Sequence, residues 1–501
     1  GDAIKFIYET TGDKLDIDKI PLDDEATCSM LRKGDTQGVF QLESGGMTKL
    51  VMDLGPESFE DLIPLVALYR PGPLGTGMVE DFIAGRHGEK TAEMLHPLLE
   101  PVLKDTFGVI LYQEQVMQIT SVLAGFSLGQ ADILRRAMGK KKAKELDSMR
   151  EAFIDGAQQK HGISPQLSSE IFALLQHFAG YGFNKSHSAA YALVAYQTAY
   201  LKAHWPAEFM AAFLTSVISD SEKLSWYISV CRSMGLKILP PDVNESGRSF
   251  SVNKDRVIRF GLAGVKNVGE NAIGSILQAP FKSLMDFCKR VDNRAVNKRM
   301  LENLIKCGAM DSFGYKRSEL LAVAEQAMDM GSNYQKDYQS GQMGLFGDDS
   351  FADELRIPEL EEIPKRTILQ YEKELIGFYV TGNPLDAYVG SLYYYTPLRK
   401  ISDASEVLDG KYFSVAGIIS DCRIRNTRQG DSMAILTLED FNGKMEIVVF
   451  PKVYRDAARL LYQENAISVE GKLSIDERER KIQALKIKPL QEVPPDLHIK
   501  I

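Results

Sequence analysis

The sequence lacks the features that mark membrane-spanning and secreted proteins. It contains no run of about 18 apolar residues, the length that a membrane-spanning helix needs. Its N-terminal stretch has no apolar signal-peptide core, and it does not begin with methionine. We therefore expect no membrane segment, and we expect the chain to be a fragment or a processed product.

Cysteine is scarce and scattered. The five cysteines are Cys28, Cys231, Cys288, Cys307 and Cys422, an odd number with no CxxC pair. This spacing argues against a zinc ribbon and against a disulfide framework. It favours a reducing, cytoplasmic setting.

No bias of composition sets the chain apart from ordinary globular proteins. It has 501 residues, of which 44% are hydrophobic and 25% are charged. Its length predicts roughly three or four domains. The formal net charge of -9 does not exclude nucleic acid, because the distribution of charge matters more than its sum.

One stretch, Ala131–Lys144, is strongly basic within this acidic chain. It contains a single acid, Asp132, and six cations: Arg135, Arg136, Lys140, Lys141, Lys142 and Lys144. We predict a helix that ends at Gly139, with cations favoured in its last turn by the helix dipole. A polyanion, such as a nucleotide or a nucleic-acid backbone, would fit this local field, and a solvated helix end is the alternative.

Residues 45–235 are predicted to be mainly helical, with polar chemistry in the loops. The helical stretch Phe59–Tyr69 ends at Arg70-Pro71-Gly72-Pro73. Two prolines around a glycine predict a rigid turn that holds Arg70 in place. A plain helix stop with an exposed arginine explains the same pattern.

A second polar stretch, Ala179–Ser188, places two glycines beside aromatic residues and then five consecutive polar side chains. We predict that a helix over Ala189–Ala203 follows, so that its first N–H groups and Lys185 form an anion site. No acid is placed by sequence to complete a catalytic triad with Ser186 and His187. A structural histidine is the alternative.

Two features of the middle of the chain point to DNA or to a protein partner. The glycine hairpin Gly261–Ile273, with Gly264, Lys266 and Gly269, has the pattern of a helix-hairpin-helix unit, in which backbone N–H groups approach phosphates. The predicted linker 331–366 contains the apolar pair Leu345-Phe346 after Gln342, which is typical of a docking peptide. A loop that folds back on its own domain is equally compatible.

Residues 411–490 predict an OB-fold barrel. Three strands, a helix over Lys452–Tyr462 and two more strands alternate with turns, including an Asn-Gly hairpin signal. Arg423, Arg425 and Arg428 precede the first turn. Barrels of this kind bind single strands with basic and aromatic side chains.

Together these stretches resemble a known family. GVFQLES, RPGP, GVILYQEQVMQ, LRRAMGKKK, FAGYGFNKSHSAAYALVAYQTAYLKAHWPAEF and GFYVTGNPL are similar, in order, to blocks of the bacterial DNA polymerase III alpha subunits, the family C replicative polymerases. The resemblance implies a multidomain chain of mainly α fingers and helix-hairpin-helix domains followed by an OB barrel. The implied boundaries are 1–24 (palm edge), 25–240 (fingers), 241–330 (helix-hairpin-helix and clamp-binding domain), 331–366 (linker), 367–410 (connector), 411–490 (OB fold) and 491–501 (tail).

The resemblance also implies partners and site residues. The partners are primer-template DNA, a dNTP, the sliding clamp and other subunits of the holoenzyme. Arg135 and Arg136 match the arginines that contact the triphosphate, and Lys140 extends their field. Gln342, Leu345 and Phe346 match the internal clamp-binding peptide. We further expect nucleotide contacts from Arg70, Asn184, Lys185 and His187, and DNA contacts from Gly264, Lys266, Gly269, Arg423, Arg425 and Arg428.

One part of the family pattern is missing. Family C polymerases hold two Mg²⁺ ions on three palm aspartates, from a Pro-Asp-x-Asp motif and a Phe-Asp-Phe-Leu-Gly strand. Neither motif occurs in this sequence, and Asp16, Asp18, Asp23 and Asp24 lie in a different context. We therefore expect a piece of the polymerase that is inactive alone. The alternatives are a non-catalytic DNA-binding module of helix-hairpin-helix and OB type, and an error-prone paralogue of the same family.

Overall fold

The described part of the chain divides into two units. The computed structural model describes residues 1–91, 94–139, 143–179, 182–339, 355–402, 408–427, 429–441, 443–476 and 479–491. The first unit comprises residues 1–297 and the second 298–501. Among the described helices, none combines the length and apolar character needed to cross a bilayer.

The first unit is mainly helical, as the sequence predicts. Its helices are α1 Asp2–Thr11, α2 Glu25–Arg32, α3 Gly45–Leu54, α4 Leu62–Leu68, α5 Pro71–Leu74, α6 Met78–Arg86, α7 Glu100–Leu103, α8 Gln113–Ala124, α9 Leu128–Gly139, α10 Ala143–His161, α11 Pro165–Ala179, α12 Lys185–His204, α13 Pro206–Ser216, α14 Ser221–Ser233, α15 Glu270–Ile276 and α16 Leu284–Arg290. A small sheet of β1 Ile238–Leu239, β2 Ser251–Val252 and β3 Ile258–Arg259 has the order β1-β3-β2.

Two hydrophobic cores meet at one extended segment of this unit. The first core is built by α2, α3, α4, α6 and α12, and the second by α8, α9, α10 and α11. Val109 and Leu111 belong to the first core, whereas Ile110 between them belongs to the second. Because side chains of an extended backbone alternate between its two faces, the segment is buried on both sides. It therefore fixes the start of α8, which follows directly.

The predicted end of the basic helix is confirmed, since α9 ends at Gly139. Helix α12, however, begins at Lys185, four residues before the predicted start. Asn184 is the reason: its side chain accepts a hydrogen bond from the His187 N–H at 2.8 Å, as an N-cap residue does. Lys185 and His187 therefore lie in the first turn of a helix.

The loop Gly34–Ser44 is held against α12 by a buried lysine. The ammonium of Lys202, whose residue is only 3% exposed, donates to the carbonyl oxygens of Asp35 and Gln37, each at 2.8 Å. The Phe40 N–H donates to the Thr198 hydroxyl at 3.1 Å. Gly38 has a φ of 76°, a left-handed conformation that glycine adopts without strain. These bonds fix the backbone that presents Phe40.

The second unit joins three longer helices to a barrel. Its elements are α17 Lys298–Lys306, α18 Arg317–Gln339, α19 Lys365–Ile376, α20 Val389–Leu392, α21 Leu398–Ser402, β4 Tyr412–Asn426, β5 Ser432–Glu439, β6 Lys444–Val449, α22 Pro451–Ala457, β7 Ala466–Asp476 and β8 Glu479–Pro489. Helix α18 extends nine residues into the segment 331–366 that the sequence analysis assigns to a linker.

A buried ion-pair network joins the helices of the second unit. Arg317, with a side chain 4% exposed, pairs with Asp311 at 2.8 Å and with Glu372 of α19 at 3.1 Å. Glu372 also accepts hydrogen bonds from the backbone N–H groups of Val380 and Thr381 at 2.7 and 3.0 Å. Breaking such a pair leaves an uncompensated buried charge, which costs about 3–5 kcal/mol. The network therefore positions the chain that continues towards the barrel.

The five strands form the closed barrel β4-β5-β6-β8-β7. All pairs are antiparallel except β6 with β8, and α22 lies between β6 and β7 in the chain. The predicted strands and helix are thus confirmed in number and order. The outer face of β4 is covered too, because Ala416 and Ile418 pack with Leu385, Tyr388 and Leu392 of the connector.

Stability of the first unit should depend on the titration of Lys202. Burial lowers the pKa of Lys202 from 10.5 to about 8, so the unfolded chain binds more protons than the folded one between these values. Below pH 8 the folded chain bears the whole free-energy cost of burying the charged ammonium. This cost decreases as the pH rises towards 10.5, so the free energy of unfolding increases. Relative to Lys202→Met, the wild type should gain about 1–3 kcal/mol between about pH 7 and about pH 10.

Urea unfolding followed by tryptophan fluorescence measures this difference. Both tryptophans, Trp205 and Trp226, lie in the first unit, so the signal reports that unit. A difference between the two proteins that stays constant over this pH range would contradict the assigned role of Lys202.

Candidate functional site

The two arginines of the basic stretch share one carboxylate. Arg135 donates to Asp132 through Nε at 3.1 Å and Nη2 at 2.8 Å. Arg136 pairs with the other oxygen of Asp132 at 2.8 Å. The hydrogen bond from Arg135 lowers the pKa of Asp132 and so favours its charged form. The Arg135 side chain is 24% exposed and that of Arg136 is 67% exposed. Lys140, Lys141 and Lys142 lie outside the described residues.

The loop before α12 is joined to the start of α8 by backbone hydrogen bonds. The Phe183 N–H donates to the Leu111 carbonyl at 3.1 Å, and the Gln113 N–H donates to the Phe183 carbonyl at 2.9 Å. Tyr112 and Phe183 thereby form a parallel bridge. These bonds connect residues about seventy positions apart in the chain, and no local sequence pattern predicts them.

An acid of the same chain occupies the N-terminus of α12. The Glu114 carboxylate accepts hydrogen bonds from the Asn184 side-chain amide at 2.9 Å and from the Lys185 N–H at 3.1 Å. The sequence predicts an anion site at this helix start, and Glu114 is the anion found there. The Lys185 ammonium lies 5.5 Å from the centre of the Tyr112 ring. Lys185 and His187 remain exposed beside it.

Arg70 contacts the ring of Phe183. Its guanidinium carbon is 4.3 Å from the centre of the Phe183 ring, a cation–π distance, and its Nε donates to the Ala67 carbonyl at 3.1 Å. Burial lowers the pKa of Arg70, which nevertheless remains a cation at any physiological pH. The predicted turn at Pro71 is the short helix α5, with Arg70 at its N-cap position.

The motifs GVFQLES, RPGP and FNKSH line a single cavity of about 750 Å³ in the first unit. Aromatic side chains form much of its wall: Phe40, Tyr69, Phe183, His187 and Tyr191. The ring centres of His187 and Tyr191 are 4.3 Å apart, and those of Phe40 and Tyr191 are 5.5 Å apart. Apolar walls with a few polar groups are typical of small-molecule sites.

Two tyrosines of α12 have different surroundings. Tyr196 belongs to the core and is fully buried. Tyr191 instead lies on the cavity wall. Helical spacing alone could not separate the two, because the face of α12 that turns towards the cavity is set by the loop Gly34–Ser44.

The helix-hairpin-helix residues lie in the predicted setting. Gly264 ends a short 3₁₀ turn, Lys266 is exposed, and Gly269 is the N-cap residue of α15. A Cβ at Gly264 would lie 2.7 Å from the Phe260 ring, so the close packing here requires glycine. Asn267 between them has a φ of 66°, which turns the backbone sharply.

Two of the arginines expected to contact DNA lie near the end of β4. Arg423 and Arg425 are both exposed and pair in register with Ile435 and Met433 of β5. Being two residues apart, they share one face of the strand. Arg423 also pairs with Asp421 at 2.7 Å. Arg428 and the peptide residues Gln342, Leu345 and Phe346 lie outside the described residues.

The described residues offer no metal site. Among them, no group of three or more His, Cys, Asp or Glu side chains is placed to hold an ion. The four described cysteines of highest burial, Cys28, Cys231, Cys288 and Cys307, have pKa values raised by burial, so their thiols stay protonated.

Three family models match successive parts of the chain. Residues 1–161 match the bacterial DNA polymerase III alpha subunit finger domain, and residues 235–320 match a helix-hairpin-helix motif. Residues 413–490 match an OB-fold nucleic acid binding domain. The order of these matches agrees with the order of the helical unit, the glycine hairpin and the barrel.

Whole-chain relatives carry one name, DNA polymerase III subunit alpha. The protein of Escherichia coli (strain K12) is 42% identical over 476 residues, which are 92% of this chain and 41% of that protein. The Pseudomonas aeruginosa protein is 44% identical over 92% of this chain and 42% of its own length. The Thermus aquaticus protein is 42% identical over 98% of this chain and 41% of its own length.

A solved asparaginyl-tRNA synthetase of Entamoeba histolytica, in complex with asparaginyl-adenylate, covers 20% of this chain and 25% of its own at 22% identity with a TM-score of 0.15. A likeness of this extent supports no conclusion.

The polymerase relatives are far more similar to this chain, and the chain spans about two fifths of their length. The chain is therefore similar to about two fifths of these DNA polymerase III alpha subunits, and it matches a finger-domain model, a helix-hairpin-helix model and an OB-fold model in that order.

Proposed function

We propose that this chain is the part of a DNA polymerase III alpha subunit that binds the incoming dNTP, the primer-template DNA and the sliding clamp during template-directed DNA synthesis. The observation that carries the proposal is that Arg70 contacts Phe183 and that Arg135 is linked through Gln113 to the same loop before α12, beside a cavity with aromatic walls. The whole-chain homology supplies the reaction class.

In this proposal the triphosphate binds Arg135 and Arg136. A planar guanidinium binds phosphate oxygens in a bidentate way, and charge-assisted bonds of this kind are strong and directional. Arg70, Asn184, Lys185 and His187 contribute to the same site from the loop and from the first turn of α12, and Lys140 extends the positive field. The aromatic walls would accommodate the nucleoside, because nucleobases stack on such rings.

We assign no chemical step and no metal ligand to this chain. Polymerases of this family use Mg²⁺ to activate the primer hydroxyl and to stabilise the leaving pyrophosphate. The residues described here do not fit such a site, since they contain no suitable acidic cluster and the sequence contains neither aspartate motif. What the chain contributes is binding and orientation of the nucleotide and of the DNA.

The nucleotide site is tested by calorimetric titration of a dNTP into the chain. Arg135→Ala with Arg136→Ala should weaken binding at least about hundredfold, because each lost charge-assisted bond is worth about 1.5–3 kcal/mol. Arg150→Ala, an exposed arginine of α10, serves as the matched control and should leave the affinity unchanged.

Equal dNTP affinity of the wild type and the double variant would refute this assignment. DNA binding that is retained but indifferent to both arginines and to dNTP would instead favour a non-catalytic module of helix-hairpin-helix and OB type.

For DNA, we propose that Gly264, Lys266 and Gly269 contact the duplex backbone and that Arg423, Arg425 and Arg428 contact the single-stranded template. The hairpin glycines bring backbone N–H groups close to phosphates, and the barrel arginines supply charge on an exposed strand face. Phosphate contacts of this kind make the affinity depend on salt.

The barrel assignment predicts a change in salt dependence. Arg423→Ala with Arg425→Ala should weaken binding of a single-stranded oligonucleotide and lower the slope of log K against log salt by about 1.4, or about 0.7 for each lost phosphate contact. Fluorescence anisotropy over a range of salt concentrations measures both quantities.

The control for this experiment removes the same charge elsewhere on the barrel. Arg455 and Arg459 are exposed on and just after α22, and their replacement by alanine should leave the slope unchanged. If both double variants lowered the salt-dependence slope by the same amount, the binding would depend on net charge and not on contacts with Arg423 and Arg425.

For the clamp, we propose that Gln342, Leu345 and Phe346 form the docking peptide. The sequence supports this with an apolar pair flanked by glycines in a polar segment. Leu345→Ala with Phe346→Ala should abolish binding to a sliding clamp, as measured by calorimetry. An unchanged affinity would contradict the proposal, and the dNTP titration serves as a control for folding.

A further inference from the structure

The side chain of Gln113 bridges two parts of the nucleotide site. Its Oε1 accepts a hydrogen bond from Arg135 Nη1 at 3.0 Å, and its Nε2 donates to the Gly182 carbonyl at 3.0 Å. The Gln113 backbone N–H donates to the next carbonyl of the same loop, that of Phe183, at 2.9 Å. One residue thus contacts both α9 and the loop that precedes α12.

The chemistry of these partners fixes the orientation of the amide. A guanidinium can only donate and a carbonyl oxygen can only accept, so Oε1 must face Arg135 and Nε2 must face Gly182. The reverse orientation would break both bonds. A carboxylate of the same length would lose the donor, and an apolar side chain would lose both groups. The position therefore requires a side chain that accepts at one atom and donates at another.

Gly182 allows the close approach of this side chain. A Cβ atom at Gly182 would lie 3.2 Å from Cγ of Gln113 and 3.5 Å from its backbone nitrogen. Contacts shorter than 3.4 Å force a neighbour to move, and the neighbour here is the amide that holds Arg135. The absence of a side chain at Gly182 therefore leaves room for the Gln113 side chain.

The bridge leaves Arg135 prepared for a ligand. Asp132 and Gln113 engage Nε, Nη1 and Nη2 with one N–H each, which accounts for three of the five guanidinium donors. Each terminal nitrogen carries a second N–H with no partner among the described residues, and a phosphate oxygen could accept from it. Since both ends of the guanidinium are held, little side-chain freedom remains to be lost on binding.

The same bridge reaches the other candidate residues. Phe183, whose backbone is bonded to Gln113, carries the Arg70 guanidinium on its ring. Asn184 follows as the N-cap residue of α12, and its side-chain amide donates to Glu114, the neighbour of Gln113. Arg70, Arg135 and the first turn of α12 come from three distant parts of the sequence, and Gln113 connects them.

We propose that Gln113 is a positioning residue that couples Arg135 to the loop Gly182–Asn184, so that the triphosphate contact and the cavity wall are set as one unit. The inference rests on the proposed nucleotide-binding function. It adds a residue that contacts neither the triphosphate nor the base but determines where Arg135 is held.

The experiment compares three substitutions by calorimetric titration of a dNTP. Gln113→Met removes both bonds and should weaken binding about tenfold, the equivalent of one net hydrogen bond. Gln113→Glu keeps the size and the bond to Arg135, yet it should bind more weakly than Gln113→Met, because its charge repels both the Gly182 carbonyl and the triphosphate. Gln118→Glu makes the same change at an exposed position of α8 and should bind like the wild type.

A double-mutant cycle separates positioning from a general loss of structure. In an Arg135→Ala background, Gln113→Met should have no further effect on dNTP affinity, since the guanidinium that Gln113 positions is absent. An equal loss in both backgrounds would overturn the inference. Should Gln113→Met fail to fold, Gly182→Ala reaches the same contact from the loop side and should also weaken dNTP binding.

The outcomes distinguish this inference from the proposed function. If dNTP does not bind the wild type, or binds without Arg135 and Arg136, the proposed function fails and the inference fails with it. If the two arginines matter but the Gln113 variants bind like the wild type, only the positioning role is refuted.

Discussion

The pairing of Phe183 with the backbone of Leu111 and Gln113 is the contact on which the polar chemistry of the first unit depends. It holds because the segment before it is buried on both faces, with Val109 and Leu111 in one core and Ile110 in the other. Two cores therefore fix the point at which α8 begins. From that point Gln113 and Glu114 reach the loop and the first turn of α12.

Acids of the chain balance the cations at this site. Asp132 lies between Arg135 and Arg136, and Glu114 accepts a hydrogen bond from the Lys185 N–H in the first turn of α12. The Arg135 side chain is partly buried and would be costly without a partner, so Asp132 stabilises it in the absence of a ligand. In the proposed function, a triphosphate carries more negative charge than the Asp132 carboxylate. It can accept hydrogen bonds from the guanidinium N–H groups that do not donate to Asp132. The charge pattern thus accounts for a site that is both folded and receptive.

The sequence predicts the architecture well where local rules apply. Strand-like stretches and the turns between them predict all five strands and the helix of the barrel, and Gly139 marks the end of a helix in the first unit. The start of α12 is missed because Asn184 acts as an N-cap, although a residue of that type before a helix is a recognisable signal. The extension of α18 into the predicted linker shows that polar composition alone does not separate an exposed helix from a loop.

The site is predicted only in part, for a physical reason. Charge and turn chemistry single out the basic stretch Ala131–Lys144, Arg70 and the stretch around His187, and the family resemblance narrows the basic stretch to Arg135 and Arg136. That these motifs meet depends on contacts between residues far apart in sequence, which no local pattern encodes. Gln113 and Lys202 are missed for the same reason: a glutamine in a helix start and a lysine in a helix are ordinary until their partners are known.

The most direct test of the account is a structure of this chain with a bound dNTP. The account predicts phosphate oxygens within hydrogen-bond distance of both Arg135 and Arg136, with Gln113 still bonded to Arg135 and to the Gly182 carbonyl. A triphosphate bound elsewhere on the chain, or bound at Arg135 after the Gln113 bridge has broken, would contradict it.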